Sequence, residues 1–549
     1  MTNAYDLVAE ARAKFGELTA AEERLLRCAE SGDIAYCGPS DKDDDPGNDP
    51  ANADAWGKER TIRAKLIRWL CIDSEANKHI DPRGIQLHAA TIGDQSQEKD
   101  LDLSEATVNF SLSFGLCKLE VPLCLMGAAT RGLYLVGTHI EELQADRLSA
   151  GGSIYLREGF HAAREVSLIG ASVGGGFDCG GGTFANEGEY ALNADGIKVA
   201  GDLCLRGKFR AASEISFLGA DIGGNLDCSD GTFAINGQNV DALSADGIKV
   251  RGDVSFENST VTGNIRLCGA DVGGQLQVSA TKFSNGSTFD LQNATIKREF
   301  FWEGIGPDTP ARLDLRNASV GQILDDDKGW PVNANLFLDG FLYDRIDTEP
   351  TSAEGRLRWL ARQPDGFTPQ PYRQLAKILR ERGDDAGART VLIAMEDSRL
   401  KHGDLSAVQR AVRWVLWATV GYGYVPLRAL WYIVSFVILG TILFGWGHSA
   451  GVVTRVAIKD PSPQVEPFNP FIYSLENFLP LVDLHMAKHW MPDPNATPTP
   501  VLWPILDSEA PALGSLGRIL RCYLWVHILC GWFFTSMFIA GITGLVRRE

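Results

Sequence analysis

The sequence predicts a mainly β fold: a right-handed β-helix, or solenoid, of short repeats. An α-helical N-terminal cap, a helical hairpin and two transmembrane helices flank it. Three observations predict this. A seven-residue pattern (aliphatic, any residue, Gly, any residue, then apolar residues two apart) recurs as VGGGFDC from Val173, VAGDLCL from Val199, IGGNLDC from Ile222, VRGDVSF from Val250, VTGNIRL from Val261 and VGGQLQV from Val272. The steps between copies are 26, 23, 28, 11 and 11 residues. A longer block, EVSLIGASVGGGFDCGGGTFANEG from Glu165, returns as EISFLGADIGGNLDCSDGTFAING 49 residues later. Finally, two long apolar runs without Asp, Glu, Lys or Arg stand near the C-terminal end.

Residues 1–95 are expected to form a helical cap around an acidic loop. LTAAEERLLRCAESG offers Thr19 as N-cap, Glu22 three residues on, and Gly32 past the end. The loop DKDDDPGNDPANAD lacks EF-hand spacing and its closing Glu.

Residues 96–350 carry the repeats. Period-two alternation is strand spacing, and short strands at a fixed step mark a stacked solenoid. One coil cannot bury its apolar face; stacked coils share a core. Gly174, Gly175, Gly223, Gly224, Gly273 and Gly274 are assigned to corners and tight stacking. A phosphate-cradling GxGxxG between strand and helix is absent from the sequence. Cys179 and Cys228, at matching positions of the duplication, are read as stacked apolar filler.

Residues 351–410 return to helical spacing, with Leu375, Ile378, Leu379, Ala388, Leu392 and Ile393 apolar and Gly383 between two runs. This is one hairpin, an adaptor to the membrane. Residues 411–549 form the membrane domain. Spans are expected at about 429–447 and 522–546, because about 20 apolar residues cross a ~30 Å hydrocarbon layer. Basic residues precede the first span (Arg399, Lys401, Arg410, Arg413, Arg428) and follow the second (Arg547, Arg548). The loop 449–520 is poorer in them, so both termini are expected in the cytoplasm.

Composition excludes some classes. There are 52 Lys+Arg against 70 Asp+Glu, a net charge of −18, so nucleic acid is not expected as a partner. Eleven Cys without a CxxC argue against a disulfide framework or zinc ribbon. No secretory h-region opens the chain.

Between the spans, NPFIYSLENFLPLVDLHMAKHW suits a helix that re-enters the bilayer. Tyr473, Ser474, Leu475 and Phe478 fit a pore helix, and Asp483 could form a carboxylate ring in an oligomer. Asp483, His485, His489 and Asp493 lack HExxH and are read as solvated. His527 is an ionisable group inside a span, a functional candidate on that ground. Ser536, Ala540 and Gly544 recur every four residues as a candidate helix-packing ridge. ATVGYGY, from Ala418, contains the TVGYG string of potassium filters. It stands before the first span, however, and is read as a helix ending in a Gly-rich turn before Pro426.

The phrases LTAAEERLLRCAESGD, GADIGGNLDC, LDLRNASVGQILDD, LFLDGFLYDRI, QPYRQLAKILRERGDDAGARTVLIA, TVGYGYVPLRAL and YSLENFLPLVDL together resemble a group of bacterial membrane proteins with pentapeptide-like repeats, often labelled membrane-associated oxidoreductases. The resemblance covers most of the chain and implies a bacterial inner-membrane, repeat-plus-anchor protein. The label implies a cofactor site. No catalytic, cofactor-binding or metal-binding residue carries over, and no cofactor is expected. The expected partners are the lipid bilayer, further copies of the chain, and an unidentified protein or small molecule on the solenoid. The leading expectation is a non-enzymatic, oligomeric, channel-like membrane unit coupled to a partner-sensing solenoid. The alternatives are a non-conducting scaffold and a membrane-associated oxidoreductase.

Overall fold

The computed structural model describes residues 6–93, 100–234, 240–284, 286–305, 310–326, 328–332, 335–347, 352–456, 466–496 and 516–545. The fold is a mainly β solenoid, with N-terminal helices before it and two membrane-length helices near the other end. The chain divides into two compact units, residues 1–388 and 389–549.

The solenoid has four sides per coil, each a strand of about two residues. One coil runs Ser149–Ala150, Ile154–Tyr155, His161–Ala162, Val166–Ser167. On the first and third sides the second residue points inward; on the other two the first does. Each side therefore gives the core one column of side chains. Parallel pairing stacks Ser149 on Ser172, then Lys198, Asp221, Lys249, Asp271, Thr295, Ser319 and Leu342. The sequence steps now have a geometric meaning. A step of 23 to 28 is one coil, and a step of 11 is half a coil, from Val250 on the first side to Val261 on the third. A seven-residue copy is not a single strand, as its alternation suggested. Val173 closes one strand, Gly174–Gly175 turn the corner, and Phe177 opens the next.

That corner explains its glycines by close approach. A Cβ at Gly174, Gly223 or Gly273 would overlap the carbonyl oxygen of Gly151, Ala200 or Arg251 in the preceding coil. Hydrogen bonds then run through the corner: Gly175 donates to Gly152 at 2.9 Å, Gly201 to Gly175 at 2.9 Å, Gly224 to Gly201 at 3.0 Å and Gly252 to Gly224 at 2.9 Å. In the later coils Thr295–Glu303 and Ser319–Asp325 run through it unbroken, so sides one and two form one sheet.

The core holds an aromatic ladder that alternates between two positions. Where the inward residue of the third side is Ala162 or Ala211, Phe160 or Phe209 stands two residues earlier. Where it is Phe184 or Phe233, Gly182 or Gly231 stands there. Large and small residues thus interlock from coil to coil, with centroids 5.4 Å apart for Phe160–Phe184, 5.4 Å for Phe184–Phe209 and 5.7 Å for Phe209–Phe233. The 49-residue duplication is the two-coil period of this alternation. Cys179 and Cys228 are buried, with thiol pKa values pushed well up by burial. They are not stacked on each other: the pairing of Phe177 and Leu226 with Leu203 puts Leu205 between them.

The first rungs lie inside the N-terminal segment. Ala35–Tyr36, Thr61–Ile62, Ile85–His88 and Thr91–Ile92 all pair into the solenoid sheets. The helices there are α1 (Leu7–Phe15), α2 (Ala20–Ser31), α3 (Ala64–Ile72) and α4 (Ser74–Lys78). Thr19 and Glu22 form the capping box, and Gly32 follows α2 in the left-handed conformation. Glu22, fully buried, also receives Arg63 at 2.6 Å, which donates onward to the carbonyls of Phe15 and Glu17.

The other end is closed by α5 (Ala353–Leu360) and α6 (Gln370–Glu381). Arg356 grips Asp325 through two bonds of 2.7 and 2.8 Å, and Trp330 donates to the same carboxylate at 2.6 Å. Gln370 and Gln374 donate to the carbonyls of Phe341 and Tyr343, so the last strand does not offer a bare edge.

Candidate functional site

The site is built in the second unit, which begins at Arg389 within α7 (Asp385–His402). After α8 (Ala407–Val420) comes the TVGYG turn. Gly421, Tyr422 and Gly423 all have positive φ, and the Tyr422 hydroxyl donates to Asp397 at 2.9 Å. The string is an elbow before α9 (Leu427–Ser449), as its position in the sequence suggested.

Helices α9 and α11 (Leu516–Ile542) are long and apolar enough to span a membrane. They pack antiparallel: Gly447 faces Leu520 at one end, and Gly541 faces Pro426 at the other. The second helix starts before the expected 522, taking in Arg518 and Arg521, because helical hydrogen bonding continues through polar first turns. It ends at Ile542, and Gly544 (φ 76°) lies in the turn beyond.

Between them sits α10 (Pro470–Phe478), started by Asn469, whose side chain accepts from Phe471 and Ile472. It descends against the direction of α9. Tyr473 packs edge-on against Phe444 near one end, at 5.0 Å between centroids. Phe478 stacks on Phe436 at 5.8 Å and joins Ile433 and Val437 nearer the middle.

A buried polar knot ties the three helices together. The Ser474 hydroxyl donates to the Val437 carbonyl on α9 at 2.8 Å. On α11, His527 Nε2 donates to the Ser474 carbonyl at 3.0 Å. The Tyr523 hydroxyl lies 3.3 Å from Nδ1, which fits the tautomer with its proton on Nε2. Ser474 and His527 are fully buried. Room for the knot comes from glycine. A Cβ at Gly440 would overlap the Ser474 hydroxyl, and one at Gly531 would overlap the Phe478 carbonyl.

The structure thus brings together four of the sequence candidates: Tyr473, Ser474, Phe478 and His527. Asp483 stands apart. It is exposed, its carboxylate lies 2.5 Å from Lys488 Nζ, and that ammonium holds its pKa below the usual carboxylate value. Ser536 is exposed, and Ala540 and Gly544 are half-buried. Ser536 and Ala540 lie nine residues beyond His527 and Gly531, two and a half helical turns, and so on the opposite face. They do not form the seam within one chain; Gly440, Gly447, Gly531 and Gly541 do.

Sequence reading missed Gly440, Gly531 and Glu476. The glycines are isolated in helical runs, which itself signals close packing. The Glu476 carboxylate accepts from the backbone of Met486 at 2.8 Å and Ala487 at 2.9 Å, and so fixes the return of the chain after α10. That return is not helical. Leu479 still packs against the cluster of Ile433, Val437 and Phe478, while Leu481 is 82% exposed and Asp483 and Leu484 are exposed with it. Met486 is back at the level of Phe444, Tyr473 and Trp490. There the strand Trp490–Pro492 pairs antiparallel with Val453–Arg455. Among the described residues no three His, Cys, Asp or Glu side chains form a metal-ligand set, the group around His485 and His489 included. Arg547 and Arg548, which entered the charge-based orientation, lie outside the described residues.

Fold and site together define a β-solenoid protein linked to a two-helix membrane-spanning unit. No family model, curated protein or solved structure matches the chain.

Proposed function

We propose that the C-terminal unit is the pore-forming element of a homo-oligomeric ion-permeation protein, under the control of a solenoid that binds a partner. One observation carries this reading. After Phe478 the chain leaves the helix at the depth of Ile433 and Val437, and residues 479–485 project from the two spans with Leu481, Asp483 and Leu484 exposed. Non-helical backbone at that depth cannot face hydrocarbon; it must be covered by protein or line water. Further copies of the chain would cover it and bring their return segments together. The negative end of α10 then points toward the shared axis, which favours cations. The same reading keeps the solenoid and both termini on the cytoplasmic side, on the distribution of basic residues. It places the protein in a bacterial inner membrane, on the family resemblance. It assigns no catalytic step.

The Asp483–Lys488 pair supports a second reading, a non-conducting scaffold, because a neutralised carboxylate is a weak cation ligand. Planar-bilayer recording of the purified full-length protein separates the two. Conduction that Asp483→Asn alters in cation preference supports the pore. Stable oligomers with no conductance support the scaffold. Flavin or haem absorbance in the same preparation would instead favour the oxidoreductase suggested by the resemblance.

A further inference from the structure

A surface outside the knot has chemistry of its own. In α8, Arg410, Trp414 and Trp417 are spaced i, i+4, i+7 and so share one face. Trp414 is 58% exposed and Trp417 42%, and Arg410 is exposed with no ion pair among the described residues. Two acids of α7 are already engaged, Glu396 with Arg413 and Asp397 with the Tyr422 hydroxyl. The end of α8 is bound to the head of α9, since Arg428 donates to the Trp417 carbonyl at 3.0 Å and Tyr432 to that of Ala418 at 3.3 Å. Exposed Leu427 and Leu430, with Trp431 at 74%, continue the surface onto the lipid-facing side of the span.

Indole rings gather where hydrocarbon meets headgroups, and guanidinium groups pair bidentately with phosphate. A soluble partner would leave the adjoining span surface uncovered; a bilayer covers both. We propose that the Arg410–Trp414–Trp417 stripe, with Arg428 and Trp431, binds anionic phospholipid headgroups in the leaflet where α9 begins. The helix then lies as an interfacial element joined to the span through the TVGYG elbow. This surface does not depend on whether the unit conducts.

The test is native mass spectrometry of the full-length protein in detergent, counting retained phosphatidylglycerol against phosphatidylcholine, with inorganic phosphate as competitor. The wild type is expected to prefer phosphatidylglycerol, phosphate is expected not to displace it, and each of Arg410→Gln and Arg428→Gln should lower retention about fivefold. Equal retention of the two lipids overturns the proposal, as does retention unchanged in the double variant. Displacement by phosphate would show a free-anion site and overturn it too. A second measurement guards against misfolding of the arginine variants. Lipids brominated near the headgroup should quench wild-type tryptophan emission more than that of Trp414→Phe/Trp417→Phe. Equal quenching would place the stripe away from the bilayer and overturn the proposal.

Discussion

The knot at Ser474 and His527 shows how little freedom single residues have where three helices meet. Removing the Ser474 hydroxyl takes away a buried bond to the Val437 carbonyl. Ser474→Ala is expected to cost about 1 kcal/mol, and Gly531→Leu more, because its side chain meets the Phe478 backbone rather than a movable group. Thermal inactivation of the detergent-solubilised protein, followed by size exclusion, should rank wild type above Ser474→Ala above Gly531→Leu. His139, whose ring centroid lies 5.1 Å from that of His161 in the next coil, offers a pH signature. Burial, with His161 and Lys118 nearby, lowers its pKa to about 4 from 6.5. The unfolded chain therefore takes up this proton first as pH falls. Stability from this group is complete above pH 6.5 and is lost between about 6.5 and 4. Melting temperatures over that window should fall less for His139→Gln than for wild type. At this scale the sequence exposed residues whose type is unusual for their setting. His527 was visible because it can ionise within an apolar run. Glu476 was not singled out, because its use lies in two backbone amides, ten and eleven residues away, that spacing does not reveal.

Among the elements, the solenoid was legible as a period before its geometry was. The recurrence of Gly between apolar residues showed repeats. It did not show that each copy straddles a corner, because alternation alone does not distinguish one strand of five residues from two of two. The α2 cap was readable to the residue, since Thr19, Glu22 and Gly32 lie at the two ends of one short helix. Its second tie, Glu22 to Arg63 across 41 residues, was not. The aromatic ladder gives an element-level prediction. Phe184→Ala opens a cavity between Phe160 and Phe209 and is expected to cost about 3–5 kcal/mol. Gly182→Phe/Phe184→Ala returns the ring to the coil but not to its interlocking place, and should not restore stability. Urea unfolding followed by circular dichroism measures both.

For the whole molecule, two different physical rules organise the two units. Nearest-neighbour stacking holds the solenoid together, so its stability is close to a sum over coils. The membrane unit is governed by backbone hydrogen bonding in a solvent that offers no partners. Its apolar spans were plain from composition, but their contact face was not. The ridge of Ser536, Ala540 and Gly544 and the seam of Gly531 and Gly541 both place small residues on one helix, and only packing separates them. If copies meet at the return segment, Leu481→Cys in native membranes should form disulfide-linked dimers under mild oxidation, whereas Arg24→Cys should not. A monomeric ladder for both would argue against assembly through this segment.

The interlocked phenylalanines give the β-stack a parity. Excising residues 172–197 would remove one turn and set Phe160 directly against Phe209, with Ala162 against Ala211, leaving bulk beside bulk and a gap beside a gap. Excising residues 172–220 removes an even number and preserves the rhythm. The stack can therefore be lengthened or shortened without penalty only in pairs, so natural length variants of this architecture should differ by multiples of about 49 residues through this region.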